Sequence, residues 1–91
     1  MTIMTDRDDG KMFDPHGPGL VYMLIADDIA GQIGRGDLRP DQRLPGEADL
    51  AAHYVVARMT VRRAIRELRE RGLVKVVSGK GTFVVPEDQR P

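Results

Sequence analysis

Residues 58–85 read RMTVRRAIRELRERGLVKVVSGKGTFVV, and their pattern changes from a helical to a strand period within this segment. Its first half repeats apolar residues at the spacing of one helical face, at Val61, Ala64, Ile65 and Leu68. This spacing predicts a helix over Arg58–Arg71. The second half predicts two valine-rich strands, Leu73–Val77 and Thr82–Val85, which are joined by a glycine-rich turn over Ser78–Gly81. We therefore expect a helix followed by a β-hairpin.

The residues before this stretch predict two more helices. Apolar residues recur at three- and four-residue spacing over Leu20–Ile33, and Gly34 and Gly36 are expected to end that helix. A short helix over Glu47–His53 follows a loop that contains two prolines. The order helix, helix, helix, hairpin predicts a mainly α fold with a small β-hairpin wing (α+β), which is a winged helix-turn-helix.

The chain of 91 residues is long enough for one domain and too short for two. We expect a disordered N-terminal arm over 1–18, the winged helix-turn-helix over 19–86 and a frayed C-terminal tail over 87–91. The composition is 41% hydrophobic and 31% charged, which is typical of a globular domain, and no apolar run is long enough for a membrane span. The absence of cysteine suits a reducing compartment, and we expect a cytoplasmic location.

The positive charge is concentrated in one segment although the formal net charge is zero. Residues 1–57 contain five basic and ten acidic side chains, whereas residues 58–80 contain eight basic and two acidic ones. Because attraction to phosphate depends on the local field, this asymmetry predicts a surface that faces a polyanion. Two short helices joined by a tight turn, the second of them basic, suit the major groove of double-stranded DNA. The alternative is a solvated helix face whose arginines pair with nearby glutamates.

The sequence resembles the N-terminal winged-helix domain of the GntR-type bacterial transcription regulators. The residues that carry the resemblance span most of the predicted domain, and they are Leu20-Val21-Tyr22, Ile25-Ala26, Ile33, Gly36, Leu38, Pro40, Leu44-Pro45-Gly46-Glu47, Leu50-Ala51, Arg58 to Ile65, Leu68, Gly72-Leu73-Val74 and Gly79 to Val84. The resemblance implies a sequence-specific DNA-binding regulator, and more specifically a repressor. Its recognition helix would be residues 58–71 and its wing tip residues 78–81.

Roles for individual residues follow from the resemblance. It implies that Arg58 and Arg62 read base edges as bidentate donors to guanine. Met59 would lie on the same surface, with Thr60 on a phosphate. The other expected DNA contacts are Gly46 at the start of the second helix, Arg63 and Arg66 on the recognition helix, and Ser78, Gly79 and Lys80 at the wing tip. For Arg66, Arg69 and Arg71, the sequence is equally consistent with contact to the DNA backbone and with exposure to solvent alone.

Three positions depart from the family pattern. Val55 stands where glycine is usual in the turn before the recognition helix, and a left-handed conformation there would cost about 1 to 2 kcal/mol, so we expect a reshaped turn. Ala57 replaces a serine or threonine that would cap the recognition helix. Gly46 replaces the usual serine before Glu47, although its backbone N–H can still meet a phosphate.

The residues do not predict an enzyme, and no cofactor or metal is expected. His16 and His53 lack the spacing of metal ligands. The run Gly79-Lys80-Gly81-Thr82 is not a phosphate-binding loop, because that motif needs glycine at position 74, which is Val74, and serine or threonine at position 81, which is Gly81. The alternative to a regulator is a winged helix that binds protein or acts as an architectural factor on a mobile element.

The expected partner is double-stranded DNA with a two-fold symmetric operator, on which two copies form a weak homodimer. The chain ends about where the family's ligand-sensing domain begins, so we expect either a fragment or a short regulator. In both cases no small-molecule effector is expected to bind within these residues, and no membrane partner is expected.

Overall fold

The computed structural model describes residues 18–91, so the arm expected over 1–18 lies outside the described residues except for Pro18. Helix α1 spans Pro18–Arg35. It begins two residues earlier than predicted, with a proline at the first helical position, where a missing N–H costs nothing. It also continues through Gly34, which the sequence analysis wrongly made a helix end. The helix ends at Gly36, whose φ of 84° is left-handed.

Helix α2 spans Glu47–Tyr54, one residue longer than predicted, and it leads into helix α3 over Arg58–Glu70. Tyr54 fastens α2 to α1, because its hydroxyl donates a 2.6 Å hydrogen bond to the Asp28 carboxylate. Burial of the phenol, together with this carboxylate, raises the pKa of Tyr54 to about 12. The phenol therefore remains a hydrogen-bond donor at any physiological pH.

The turn between α2 and α3 is not reshaped, contrary to expectation. Val55 adopts the left-handed conformation itself, with φ 56° and ψ 55°, and its side chain is 86% exposed. The backbone N–H of Val55 donates to the Ala52 carbonyl at 3.3 Å, and that of Val56 donates to the Ala51 carbonyl at 3.0 Å. A β-branched residue thus occupies a position that favours glycine.

The hairpin forms with strands shifted slightly from the prediction. Strand β1 spans Val74–Val77 and strand β2 spans Gly81–Val84, and they pair antiparallel with Val74 opposite Val84 and Val77 opposite Gly81. The sequence did not predict that residues 41–44 join this hairpin. Arg43 forms a β-bridge with Phe83, and the Leu44 N–H donates to the Thr82 carbonyl at 2.8 Å. The wing therefore has a third edge, which connects it to the loop before α2.

The core lies between α1, α3 and the hairpin. Its buried members are Ile25, Ala26, Ile29, Ile33, Leu44, Ala64, Leu68, Val74 and Val84. A smaller cluster of Leu50, Ala51 and Val61 lies between α2 and α3. Ile65 is partly buried and packs against both clusters, which joins them. Phe83 is only partly buried, whereas its neighbour Val84 is fully enclosed.

Residues 87–91 differ from the frayed tail that was expected. Glu87–Gln89 form a short 3₁₀ turn, and the Arg90 guanidinium donates to the Val85 carbonyl at 3.0 Å. The ring of Pro91 lies against Gly72, which has a left-handed φ of 79° after α3. Between residues 18 and 91, no helix is both long enough and apolar enough to cross a membrane.

Alanine substitutions at Gly34 and Gly72 should change the stability of the fold in opposite directions. Gly34→Ala should stabilise the fold by about 0.5 to 1 kcal/mol, because Gly34 is helical and a Cβ there meets nothing within 4 Å. Gly72→Ala should destabilise it by about 1 to 2 kcal/mol, because its φ is left-handed and the Cβ would collide with Pro91. Urea unfolding followed by circular dichroism measures both changes. A destabilised Gly34→Ala variant would contradict the extension of α1.

Candidate nucleic-acid interface

Helix α3 presents one apolar and one basic face. Val61, Ala64 and Leu68 are completely buried, and at 3.6 residues per turn they fix which side chains point outward. The exposed side chains of this helix are Arg58, Met59, Arg62, Arg63, Arg66, Arg69 and Glu70. The outward face is therefore strongly positive, and its one exposed apolar member is Met59.

Glu47, at the start of α2, holds the two arginines that were expected to read bases. Its carboxylate accepts hydrogen bonds from the Arg62 Nε at 2.9 and 3.0 Å, and an Arg58 Nη lies 3.5 Å away. The hydrogen bond from Arg62 lowers the pKa of Glu47, and the same bond raises the pKa of Arg62. Glu47 thus ties α2 to the first turn of α3 on the surface expected to face DNA.

The ion pairs of Glu47 with Arg58 and Arg62 agree in part with the alternative interpretation, in which the arginines of α3 pair with nearby glutamates. The glutamate involved is on α2, whereas Glu67 on α3 itself binds Arg71 with an Nε–Oε2 distance of 2.9 Å. Arg71 also bridges to Asp27 of α1 at 2.9 Å. Of the three arginines whose role was left open, Arg71 therefore serves as a structural link between α1 and α3.

An open cleft of about 560 Å³ separates α3 from the wing. Six of the expected contact residues line it, namely Gly46, Arg62, Arg66, Ser78, Gly79 and Lys80. Its walls also include Arg43 and Arg69, so five cationic side chains and one carboxylate, that of Glu47, surround it. The cleft therefore joins the basic face of α3 to the wing tip in one positive groove.

Arg43 is a residue of this groove that sequence reasoning missed. Its Nε donates a 2.9 Å hydrogen bond to the Lys80 carbonyl at the wing tip, 37 residues away. Gly81 makes this approach possible, since a Cβ there would lie 2.5 Å from the Arg43 Nε, and its φ is 127°. The position lies in a loop without periodicity, so no pattern could have predicted the contact.

Two expected contact residues occupy other surroundings. Thr60 is 8% exposed and belongs to the inward side of α3, which does not favour the phosphate contact expected of it. Arg63 places its guanidinium 4.3 Å from the centre of the Tyr22 ring on α1, a cation–π contact on the flank of the helix. Thr60 is thus largely buried and Arg63 is held against α1, while the DNA contacts expected of both residues stay predictions.

The starts of α2 and α3 lack side-chain caps, as the departures at Gly46 and Ala57 predict. Both cap residues have extended backbone and make no side-chain cap hydrogen bond. Gly46 lines the positive groove, so its end of α2 faces the groove with a bare backbone. Within residues 18–91, no group of three or more acidic or histidine side chains could hold a metal ion.

Residues 21–84 match the sequence profile of the bacterial regulatory proteins of the gntR family. The chain is 43% identical over 67 residues to the mannosyl-D-glycerate transport/metabolism system repressor MngR of Escherichia coli K12, which covers 74% of the chain. It is 41% identical over 64 residues to the HTH-type transcriptional repressor NagR of Bacillus subtilis 168, which covers 70% of it. The chain matches 28% and 26% of the lengths of these two relatives.

Solved structures resemble the same region. The DNA-binding domain of AraR, in complex with operator ORR3, superposes with a TM-score of 0.68 at 39% identity, over 70% of this chain and 77% of that one. A GntR family transcriptional regulator from Listeria monocytogenes has a TM-score of 0.74 at 28% identity, over 86% of this chain and 67% of that one. Both comparisons bear out the three helices and two-stranded hairpin of a winged helix-turn-helix.

The contact between Glu47 and Arg62 can be tested by titration. In Arg62→Gln the pKa of Glu47 should rise towards its ordinary value of 4.5, because its principal hydrogen-bond donor is lost. Because the folded pKa is lowered, the pair stabilises the fold above about pH 4.5 and its contribution is lost as the pH falls through the lowered pKa. NMR titration of the side-chain carboxyl measures the shift. Arg66→Gln is the matched control, and an equal shift in both variants would contradict the assignment.

Proposed function

Because this chain belongs to the GntR family of bacterial regulatory proteins, we propose that it binds double-stranded DNA sequence-specifically and acts as a transcriptional repressor. The observation that carries the proposal is the positive groove, where the basic face of α3 meets the wing tip. MngR and NagR are named as repressors, and the AraR domain of the same fold was solved with its operator, which supports the proposal. The function needs binding alone and no covalent step.

In the proposed complex the first turn of α3 enters the major groove. Arg58 and Arg62 lie one helical turn apart, and their side chains are 62% and 52% exposed, so both can reach guanine O6 and N7. To do so they leave Glu47 or share it with the base. The carboxylate thereby holds both guanidinium groups near the bases before DNA arrives, which lowers the entropy lost on binding.

The positive groove would then take a sugar-phosphate strand between α3 and the wing. Arg43, Arg66 and Lys80 supply charge along it, and the Gly46 N–H at the start of α2 suits a phosphate oxygen. At the wing tip the exposed Ser78-Gly79-Lys80 turn lets the backbone approach the DNA closely. These contacts position the protein on the duplex and carry little sequence information.

We extend the proposal to the assembly and to the unit that binds. Residues 19–86 would form the DNA-binding unit, and two copies would bind a two-fold symmetric operator with a weak contact that forms on DNA. No small-molecule effector is assigned to these residues. The cytoplasm, where a bacterial regulator meets the chromosome, is the proposed location.

A salt titration tests DNA binding against the protein-binding alternative. The logarithm of the binding constant for a duplex should fall with the logarithm of salt concentration with a slope of about −3 to −5, because about four to five phosphates are neutralised. Fluorescence anisotropy with a labelled duplex from 50 to 300 mM salt measures it. A winged helix that binds only protein would show no duplex binding, and that result would refute the proposed function.

The roles of α3 and the wing can be separated with single variants. Arg58→Ala and Arg62→Ala should each weaken binding to the preferred site by about 1 to 3 kcal/mol and relax the preference at one base pair. Lys80→Ala should weaken preferred and scrambled duplexes alike and reduce the salt slope by about one.

Truncation of Arg62 removes the main partner of Glu47 and leaves the carboxylate with Arg58 alone beside the DNA, so the double variant Glu47→Gln, Arg62→Ala is the control. It should bind scrambled duplexes better than Arg62→Ala while discrimination stays low. Dissociation constants on both duplexes at matched salt measure all variants. Equal losses on the two duplexes in both arginine variants, or discrimination erased by Lys80→Ala, would contradict the proposed roles.

A further inference from the structure

The surface that faces DNA contains apolar side chains that the polar contacts leave unexplained. Four large apolar residues are substantially exposed among residues 18–91, namely Leu24, Val55, Met59 and Val76. Two of them are close in sequence: Val55 lies in the connection between α2 and α3, and Met59 lies in the first helical turn of α3. Both contribute little to the core, since Val55 is 86% and Met59 is 62% exposed. Exposure of such side chains at an otherwise basic surface points to an apolar partner.

Met59 is held in place by the residues proposed to read guanine. The Arg62 Nη1 lies 3.6 Å from the Met59 sulfur, and Arg58 is its neighbour in sequence. Because Glu47 binds both arginines, the thioether lies beside a network that is already ordered without DNA. Met59 therefore belongs to the same reading surface, at the second residue of α3, which is the end that reaches deepest into a major groove.

Val55 adds an observation of a different kind. Its left-handed backbone is strained for a β-branched residue, yet its side chain gains almost no burial in return. A strained residue that adds nothing to packing points to a role at the surface where it lies. The turn that contains Val55 leads directly into α3, so Val55 lies close in sequence to the first turn of the basic helix, where Met59 is exposed.

We infer that Met59, with Val55 at its edge, forms an apolar spot that contacts the C5 methyl groups of thymine in the major groove. This inference rests on the proposed DNA binding. Thymine is the one base that presents an apolar group in that groove, and its methyl group gains from contact with an apolar side chain. The protein would then prefer a site in which thymines lie next to the guanines that the arginines read.

The test uses the full chain and duplexes that differ by single methyl groups. Selection from a randomised duplex library first gives the preferred site, and each thymine in it is then replaced by deoxyuridine, which lacks only the methyl. The wild-type chain should lose about fourfold in affinity at one or more thymines, which is the effect expected for one buried methyl group. In Met59→Ala the same replacement should have no effect, whereas Met59→Leu should retain most of the loss.

Arg66→Ala is the matched control on the same helix face. It should weaken binding to every duplex while its sensitivity to deoxyuridine stays equal to that of the wild type. A wild-type chain that binds its site specifically yet tolerates deoxyuridine everywhere would overturn the inference and leave the proposed function intact. Equal sensitivity in Met59→Ala would also overturn it. If the library gives no preferred sequence, the proposed function fails and the inference fails with it.

Val55→Gly separates a structural role from a binding role. The substitution relieves the left-handed strain, so the midpoint of thermal unfolding should rise by about 3 °C. Affinity for the selected site should nevertheless fall about twofold, because part of the apolar contact is lost. A more stable variant with undiminished affinity would overturn the part assigned to Val55.

Discussion

Helix α3 buries one stripe of apolar side chains between α1, α2 and the hairpin, and this burial sets the orientation of its basic face. Val61, Ala64 and Leu68 have no exposed surface, and each of them contacts either α1 or α2 through the core. Once these three positions face inward, the helical period turns Arg58, Arg62 and the rest of the basic face outward. The same packing also fixes the distance of α3 from the wing, because Leu68, Val74 and Val84 share one cluster. The recognition surface is therefore a consequence of the core.

Glu47 places a negative charge within this positive surface, and magnitudes show why DNA can still displace it. An exposed ion pair contributes little because solvent and salt screen it, whereas a bidentate contact to a base contributes about 1 to 3 kcal/mol of discrimination. The pair is therefore strong enough to order Arg62 in the free protein and weak enough to yield to guanine. A scrambled duplex offers no such exchange at the right position. In the complex that we propose, the carboxylate would favour sequence-specific over non-specific binding, since it opposes phosphate attraction wherever no base replaces it.

The parts of the fold that depend on periodicity could be predicted from the sequence, and those that depend on distant contacts could not. The apolar spacing identified all three helices and the hairpin, with ends that differ by a few residues. Gly34 is predicted as a helix end because glycine adopts a positive φ at little cost, yet Gly34 stays helical and Gly36 alone takes the left-handed conformation. The β-bridge from Arg43 to Phe83 and the hydrogen bond from Arg43 to the Lys80 carbonyl join segments that are far apart in sequence, which no local pattern records.

The candidate site shows the same division. The basic face of α3 and the wing turn were predictable because charge and glycine spacing are local features, and six expected residues do line one groove. The inward position of Thr60 was missed because the expected role came from resemblance, whereas its burial depends on where the helical face meets α2 and the core. Arg63 is expected to contact DNA like the other arginines of α3, but its guanidinium lies over the ring of Tyr22 on α1, at the side of the helix.

The turn between α2 and α3 shows how tertiary packing outweighs local preference at the site itself. A left-handed Val55 costs about 1 to 2 kcal/mol, the missing cap at Ala57 costs about 1 kcal/mol, and the missing cap at Gly46 costs only a few tenths of a kcal/mol. Against this, burial of a leucine or valine contributes about 1.5 to 3 kcal/mol, and Leu50 and Val61 are buried across that turn. The packing is therefore sufficient to hold a turn that its own residues disfavour. All three local losses lie at the turn or at the helix starts beside the basic surface, where a side-chain cap at Gly46 would compete with phosphate for the same N–H groups.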